Sequence, residues 1–265
     1  MKVKTNGIEI NYEIDGSGPW VTLSHSLACN IHMWDEQMDV LTKKYKVLRF
    51  DTRGHGASSA PAGDYTLEQM ADDVHGLFAA LGIKQTHWVG LSMGGMIGQT
   101  YALKYPGVFQ SLLLADTTSR RPPDAEKMWG DRIRMAQEKG MHAMVESTLA
   151  RWFTEPYRKT HTQVMQRIGE YIRSTPVDGF CGSCYAISRV NTLERLREIA
   201  CPTFILVGDQ DHGTPPDMAR AIHQNLPGSE LLIIPSAAHL SNVEQPQLFN
   251  NAMMGFLDRV QAQKP

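Results

Sequence analysis

The hydrophobic pattern along the chain changes period repeatedly. Val3 to Ile14 alternates apolar and polar positions at period two, while Trp20 to Ser24, Tyr45 to Phe50, Thr86 to Leu91 and Ser111 to Ala115 are short strand-like runs. Between them, stretches such as Thr66 to Leu81 carry apolar residues at helical spacing. Strands alternating with helices predict a mostly parallel sheet covered on both faces, the α/β class. The rhythm stops at about Thr118. From there to Leu196 the chain is rich in Met, Arg, Gln and Glu at helical spacing, and no β run returns until Pro202 to Val207. The pattern therefore predicts a core of residues 1–117 and 197–265 and an inserted helical cap, residues 118–196. Leu231 to Ile234 reads as a further strand and Gln247 to Val260 as a terminal helix, with no repeat and no linker.

Composition narrows the function classes. A chain of 265 residues is long enough to bury one large core, and 42% hydrophobic with 20% charged residues argues for folding throughout. A formal net charge of -2 gives no global attraction to nucleic acid or to an anionic membrane, so small molecules are the expected partners. The chain starts directly in a strand-like alternation, without a basic region followed by an apolar run. Neither a signal peptide nor a spanning helix is expected, which favours the cytoplasm. Cys29, Cys181, Cys184 and Cys201 include one C-x-x-C pair. A zinc site calls for a second ligand pair and a redox pair for a different fold context, so these residues read as small buried fillers.

The strand Thr86 to Leu91 runs into G-L-S-M-G-G, Gly90 to Gly95, and then into a helical stretch, Met96 to Lys104. A serine on a sharp strand-to-helix turn needs small neighbours two positions away, and Gly90 and Gly94 supply them. The helix that follows directs N–H groups and the positive end of its dipole at a developing oxyanion. Ser92 is therefore the candidate nucleophile. A phosphate-cradling turn is the competing reading of such glycines, but neither G-x-G-x-x-G nor G-K-[ST] is present.

A serine hydroxyl needs a base at neutral pH, and on this topology the chain order runs Ser, Asp or Glu, His. Asp211 in V-G-D-Q-D-H-G-T-P-P lies just beyond the strand ending at Val207, and His239 in P-S-A-A-H-L-S-N-V-E-Q-P just beyond the strand ending at Ile234. Loops past strand ends are where sites gather in open parallel sheets. Asp116, at the end of the strand before the cap, and Asp209 compete for the acid role, Asp209 also as a turn cap. His212 reads as a loop residue. The oxyanion hole requires two N–H donors. Met93, directly after the nucleophile, is one candidate, and Leu27 in H-S-L-A-C-N, after the strand Trp20 to Ser24, is the other. Asp51, Arg53 and His55 in F-D-T-R-G-H-G-A-S read as residues that fasten a turn below the site by hydrogen bonds.

With these residues in view, the chain resembles the α/β-hydrolase superfamily along its whole length, and within it the 3-oxoadipate enol-lactonase-like branch. The resemblance rests on S-L-A-C-N-I-H-M-W-D (Ser26 to Asp35), Phe50 to Ser58, the elbow around Ser92, A-R-W-F-T (Ala150 to Thr154) and T-P-V-D-G-F-C-G-S-C-Y-A-I (Thr175 to Ile187). The N-S-L-G loop of that branch reads His25-Ser26-Leu27-Ala28 here, with Cys29 following. The resemblance implies an α/β-hydrolase fold with a helical cap and hydrolysis of a small lactone or carboxylic ester through an acyl-enzyme, without metal or organic cofactor. The same triad serves cofactor-free perhydrolases, C–C bond hydrolases, acyl-homoserine lactonases and slow-turnover ligand sensors. An enol-lactone of this type carries a carboxylate, which calls for an arginine opposite Ser92, and Arg132, Arg134, Arg151 and Arg189 of the cap are candidates. Trp34, Met93, Trp129 and Trp152 are candidates for an apolar wall, though aromatic residues at such spacing also pack cap against core.

Overall fold

A computed structural model describes residues 1–263 of the chain. Eight strands form one sheet: β1 (Lys2–Thr5), β2 (Ile8–Gly16), β3 (Trp20–Ser24), β4 (Lys46–Phe50), β5 (Thr86–Leu91), β6 (Phe109–Ala115), β7 (Thr203–Gly208) and β8 (Glu230–Ile234). Their spatial order is β1-β2-β4-β3-β5-β6-β7-β8, antiparallel at β1-β2 and β2-β4 and parallel throughout the rest. Strands β5 and β7 are buried at every position, as the apolar runs in their sequences require, whereas edge strands β1 and β8 alternate between exposed and half-buried positions.

The alternation from Val3 to Ile14 is not one strand. It divides at Asn6 and Gly7, which both take positive φ, 48° and 78°, and turn the chain into a two-residue hairpin. An Asn-Gly pair favours this turn because both residues tolerate the left-handed region.

Among the described residues there are also eleven α-helices: α1 (Asp35–Leu41), α2 (Leu67–Leu81), α3 (Met93–Lys104), α4 (Ala125–Lys139), α5 (Val145–Trp152), α6 (Glu155–Thr160), α7 (Thr162–Ser174), α8 (Val177–Ser188), α9 (Pro216–Asn225), α10 (Ser241–Glu244) and α11 (Pro246–Ala262). Thr66 starts α2 by accepting the Gln69 N–H, and the left-handed Gly82 ends it. Among the described residues no helix is long and apolar enough to cross a membrane. Three of the four cysteines are buried free thiols and Cys201 is half-buried.

Helices α4 to α8 all fall between β6 and β7. The chain leaves and re-enters the sheet through paired backbone: Arg120 bridges Asn191, the Arg121 N–H donates to the Val190 carbonyl at 3.1 Å, and the Thr192 N–H to that of Ser119 at 2.8 Å. Helix α8 then lies hard against the loop after β4. Gly54 and Gly179 approach so closely that a β-carbon on either would strike the other's backbone.

Candidate active site

The sheet delivers every candidate chemical group to one edge, the carboxyl ends of its parallel strands. Ser92 follows β5 directly, with φ 55° and ψ -114°, a conformation side chains rarely adopt. Packing enforces it. A β-carbon on Gly94 would overlap the Ser24 carbonyl and one on Gly90 would overlap the Gly94 carbonyl, so β3, the turn and α3 close up only around glycine. From behind, the Trp88 indole N–H donates to the Gly94 carbonyl at 3.1 Å. The Ser92 amide donates to the Ala115 carbonyl at 2.9 Å, and the Thr117 hydroxyl to the Ser92 carbonyl at 2.7 Å. The turn is thereby bound to the end of β6.

Ser92 Oγ lies 2.9 Å from His239 Nε2, and His239 Nδ1 lies 2.8 Å from Asp211 Oδ2. The Asp211 carboxylate also accepts the amides of Gly213 and Thr214, at 2.7 and 3.0 Å, and the Thr214 hydroxyl at 2.7 Å. Burial alone would raise the Asp211 carboxyl. The adjacent imidazole and the Thr214 donors outweigh it and hold the group below the usual carboxylate range. All three side chains are buried. Asp209, the other acid in this loop, accepts the Ala237 amide at 3.3 Å and so braces the approach to His239, whereas Asp116 lies fully buried at the end of β6.

The amides of Leu27 and Met93 have no acceptor among the described residues, which leaves both free to donate to a ligand. Two buried histidines set the loop that carries Leu27. Burial pushes His25 down to about 4, and burial with the neighbouring His25 pushes His55 down to about 3, so both are neutral at neutral pH. Each then works as donor and acceptor at once. His25 Nδ1 donates to the Ser26 carbonyl and its Nε2 accepts the Thr52 amide, while His55 Nδ1 donates to the Arg53 carbonyl and its Nε2 accepts the Ala28 amide. Asp51 takes the Ile31 and Ala57 amides, and Arg53 forms a buried bidentate pair with Asp73. These residues therefore support the loops, as their positions in the sequence suggest.

A cavity of about 130 Å³ opens over Ser92 and His239. Leu27 and Met96 contribute from the core, Thr118 from the start of the insertion, and Trp129, Arg132, Arg151, Trp152 and Ile187 face them from the inserted helices. Two candidates for its wall lie elsewhere. Trp34 is buried beneath α1 with its ring 6.2 Å from that of Phe249, and Met93 is fully buried, offering the cavity no side chain. Arg134 and Arg189 also point away and pair with Asp131 and Asp64 at the surface.

One lining residue escapes the sequence reading: His212, read as a plain loop residue, forms part of the wall. Of the four candidate arginines, Arg151 lines the cavity with Arg132, and it adjoins Trp152, whose ring lies 6.3 Å from that of His239 at an interplanar angle of 27°. The end of α5 is bonded to the loop that carries His239. The Leu240 amide donates to the Trp152 carbonyl at 3.1 Å. Glu244 takes the Thr154 amide and hydroxyl on one oxygen and the Ala238 amide on the other.

Arg132 and Arg151 have no ion-pair partner among the described residues, and the buried Nε of Arg132 lacks any hydrogen-bond acceptor. Burial and the neighbouring Arg151 pull Arg132 down to about 10, and burial lowers Arg151 as well. Both stay charged at neutral pH, no acid among the described residues lines the cavity, and the Asp211 carboxylate acts on Arg151 only through space.

This arrangement of sheet, elbow and flanking helices defines an α/β hydrolase, and the chain belongs to the α/β-hydrolase fold family, whose model matches residues 19–246. Among curated proteins it is 31% identical over 254 residues to 3-oxoadipate enol-lactonase 2 of Acinetobacter baylyi, covering 95% of this chain and 94% of the relative. Among solved structures it superposes on the enol-lactonase from Burkholderia xenovorans LB400 with a TM-score of 0.94 at 34% identity, covering 97% of this chain and 100% of the other. A thermophilic esterase from Thermogutta terrifontis, solved with malate bound, matches with a TM-score of 0.93 at 31% identity over 98% of this chain and 99% of the other.

Proposed function

We propose that this hydrolase opens a small lactone, or cleaves a small carboxylic ester, that carries a carboxylate, in the manner of 3-oxoadipate enol-lactone, through an acyl-enzyme on Ser92. The observation that carries this reading is the pair Arg132 and Arg151, neither with an ion-pair partner among the described residues, in the same cavity as the Ser92 hydroxyl. A substrate carboxylate supplies the missing counter-charge, and arginine suits it because its planar fork binds both oxygens. The enol-lactonases and the malate-bound esterase among its relatives support the same chemistry. The size of the cavity favours a compact acyl group or lactone ring over a long acyl chain.

In this reading His239 Nε2 takes the Ser92 proton as Oγ attacks the carbonyl carbon, and Asp211 holds the imidazole in the tautomer that allows it. The tetrahedral oxyanion receives the Leu27 and Met93 amides. Collapse breaks the ring C–O bond, and His239 gives its proton to the departing enol or alcohol oxygen. A water deprotonated by His239 then cleaves the acyl-enzyme and restores Ser92. The chain acts as a core of residues 1–117 and 197–265 and a cap of residues 118–196, a division supported by the paired backbone at Ser119 to Arg121 and Val190 to Thr192.

The test is steady-state hydrolysis of 3-oxoadipate enol-lactone, p-nitrophenyl acetate and butyrate, and an acyl-homoserine lactone by wild type and Ser92→Ala. Turnover by wild type alone, with the highest kcat/KM on the carboxylate-bearing lactone, is expected. Equal turnover by both proteins removes Ser92 from the mechanism, and a single burst without cycling would make the protein a slow sensor.

A further inference from the structure

One buried acid outside the triad touches the supports of all three of its members. Asp116 caps β6 in the left-handed region, with φ 45°, and is wholly shielded from solvent. Its Oδ1 accepts the amide of Gly208, the last residue of β7 and three positions before Asp211. Its Oδ2 lies 2.5 Å from the hydroxyl of Ser241, two positions after His239. The residues on either side of it, Ala115 and Thr117, hold the two backbone groups of Ser92, and its own amide donates to the Leu206 carbonyl at 2.9 Å. Three loops from three different strands thus meet on three consecutive residues.

We propose that Asp116 is a positioning residue that sets the loops of Asp211 and His239 in register with Ser92, acting through the hydrogen bonds of its side chain. This inference rests on the triad reading above. The loops after β7 and β8 are also joined by the Asp209 and Gln210 amides, which donate to the Ile234 and Ala237 carbonyls at 2.9 Å each, but those bonds do not reach the turn of Ser92, whereas Asp116 and its two neighbours tie both loops to it. Displacement of catalytic groups by about 1 Å costs on the order of a hundredfold in rate. Burial and the nearby Asp211 carboxylate raise the Asp116 carboxyl well above the usual range. Its two oxygens accept the Gly208 N–H and the Ser241 hydroxyl. An asparagine amide in the same place keeps an acceptor for Gly208 and a polar group within reach of the Ser241 hydroxyl, and tolerates the same positive φ.

Labelling of Ser92 by a fluorophosphonate tests the inference without requiring the native substrate. Binding and bond-forming constants are separated for wild type, Asp116→Asn, Asp116→Gly and Ser241→Ala, with Tm recorded for each. Glycine is chosen for removal because it fits the left-handed backbone. Asp116→Asn should label within about threefold of wild type, whereas Asp116→Gly should lose about tenfold or more in the bond-forming constant with unchanged binding. Ser241→Ala, which cuts only the tie to the base loop, should fall between them. If Asp116→Gly does not fold, the other two variants decide. Asp116→Asn labelling tenfold or more below wild type would overturn the inference, as would wild-type labelling by Ser241→Ala or by a folded Asp116→Gly. Failure of the wild-type protein to label at Ser92 would instead overturn the triad reading.

Discussion

The Arg132 guanidinium lies 4.6 Å from the centre of the Trp129 ring, held against one wall of the active-site cavity by its aromatic neighbour. Phe180 stands on another side of it at 5.9 Å. Such a cation is oriented before any ligand arrives, and the cost of ordering a long side chain is already met in the free protein.

Arg132→Gln should therefore lower kcat/KM for a carboxylate-bearing lactone by about ten- to a hundredfold, the worth of a charged hydrogen bond of about 1.5–3 kcal/mol. Turnover of p-nitrophenyl acetate, which has no carboxylate, should change by less than about threefold. Parallel kinetics on the two substrates check this. An equal loss on both would mean that Arg132 supports the cavity and does not read the ligand.

Ala28 adopts φ 57°, a region that costs an L-residue about 1–2 kcal/mol. Ala28→Gly should stabilise the protein by roughly 1 kcal/mol after the extra freedom of glycine in the unfolded chain is counted, a rise in Tm of about 2–4 °C. Calorimetry would register it, and an unchanged or lower Tm would show that the Ala28 methyl contributes packing that outweighs the strain.

His25 and His55 make stability depend on pH below neutrality. Their folded values, about 4 and about 3, lie below the ordinary 6.5, so the unfolded chain binds protons that the folded protein excludes. Their contribution to stability is complete above pH 6.5 and falls as pH drops towards 4. At pH 5 the loss reaches up to about 2 kcal/mol for each histidine. Asp211 is depressed and loses its own contribution only at lower pH, whereas the raised Asp116 acts in the opposite sense, so the histidine part is read by urea denaturation between pH 7 and 5 as the difference between wild type and a histidine variant. A His55→Gln variant should show a visibly flatter dependence over that range.

Trp34 belongs to the packing between α1 and α11 and not to the cavity. Trp34→Ala should cost about 3–5 kcal/mol of stability, while the milder Trp34→Phe should keep kcat/KM within about twofold. Urea unfolding of the first and kinetics of the second check the two halves of this expectation.

What the sequence made legible was whatever local order encodes. β3 and β5 appear with the bounds their apolar runs suggest, and Ser92, Asp211 and His239 could be ordered along the chain because each follows a recognisable strand. The Asn6-Gly7 turn was equally local, but the alternation runs through it in phase, so period alone did not reveal it. The cavity wall is a different matter. Whether Trp34 or Arg151 faces Ser92 depends on how α4, α5 and α8 lie over the sheet, which no periodicity along one helix expresses. The ties of Asp116 were hidden for the same reason, since Gly208 and Ser241 are far away in sequence and near only after the sheet has formed.

The bonds from Trp152 to Leu240 and from Thr154 to Glu244 have a mechanical consequence. They make the end of α5 a hinge post fixed in the same frame as His239. A cap that swung open there would drag His239 away from Ser92 with every substrate admitted.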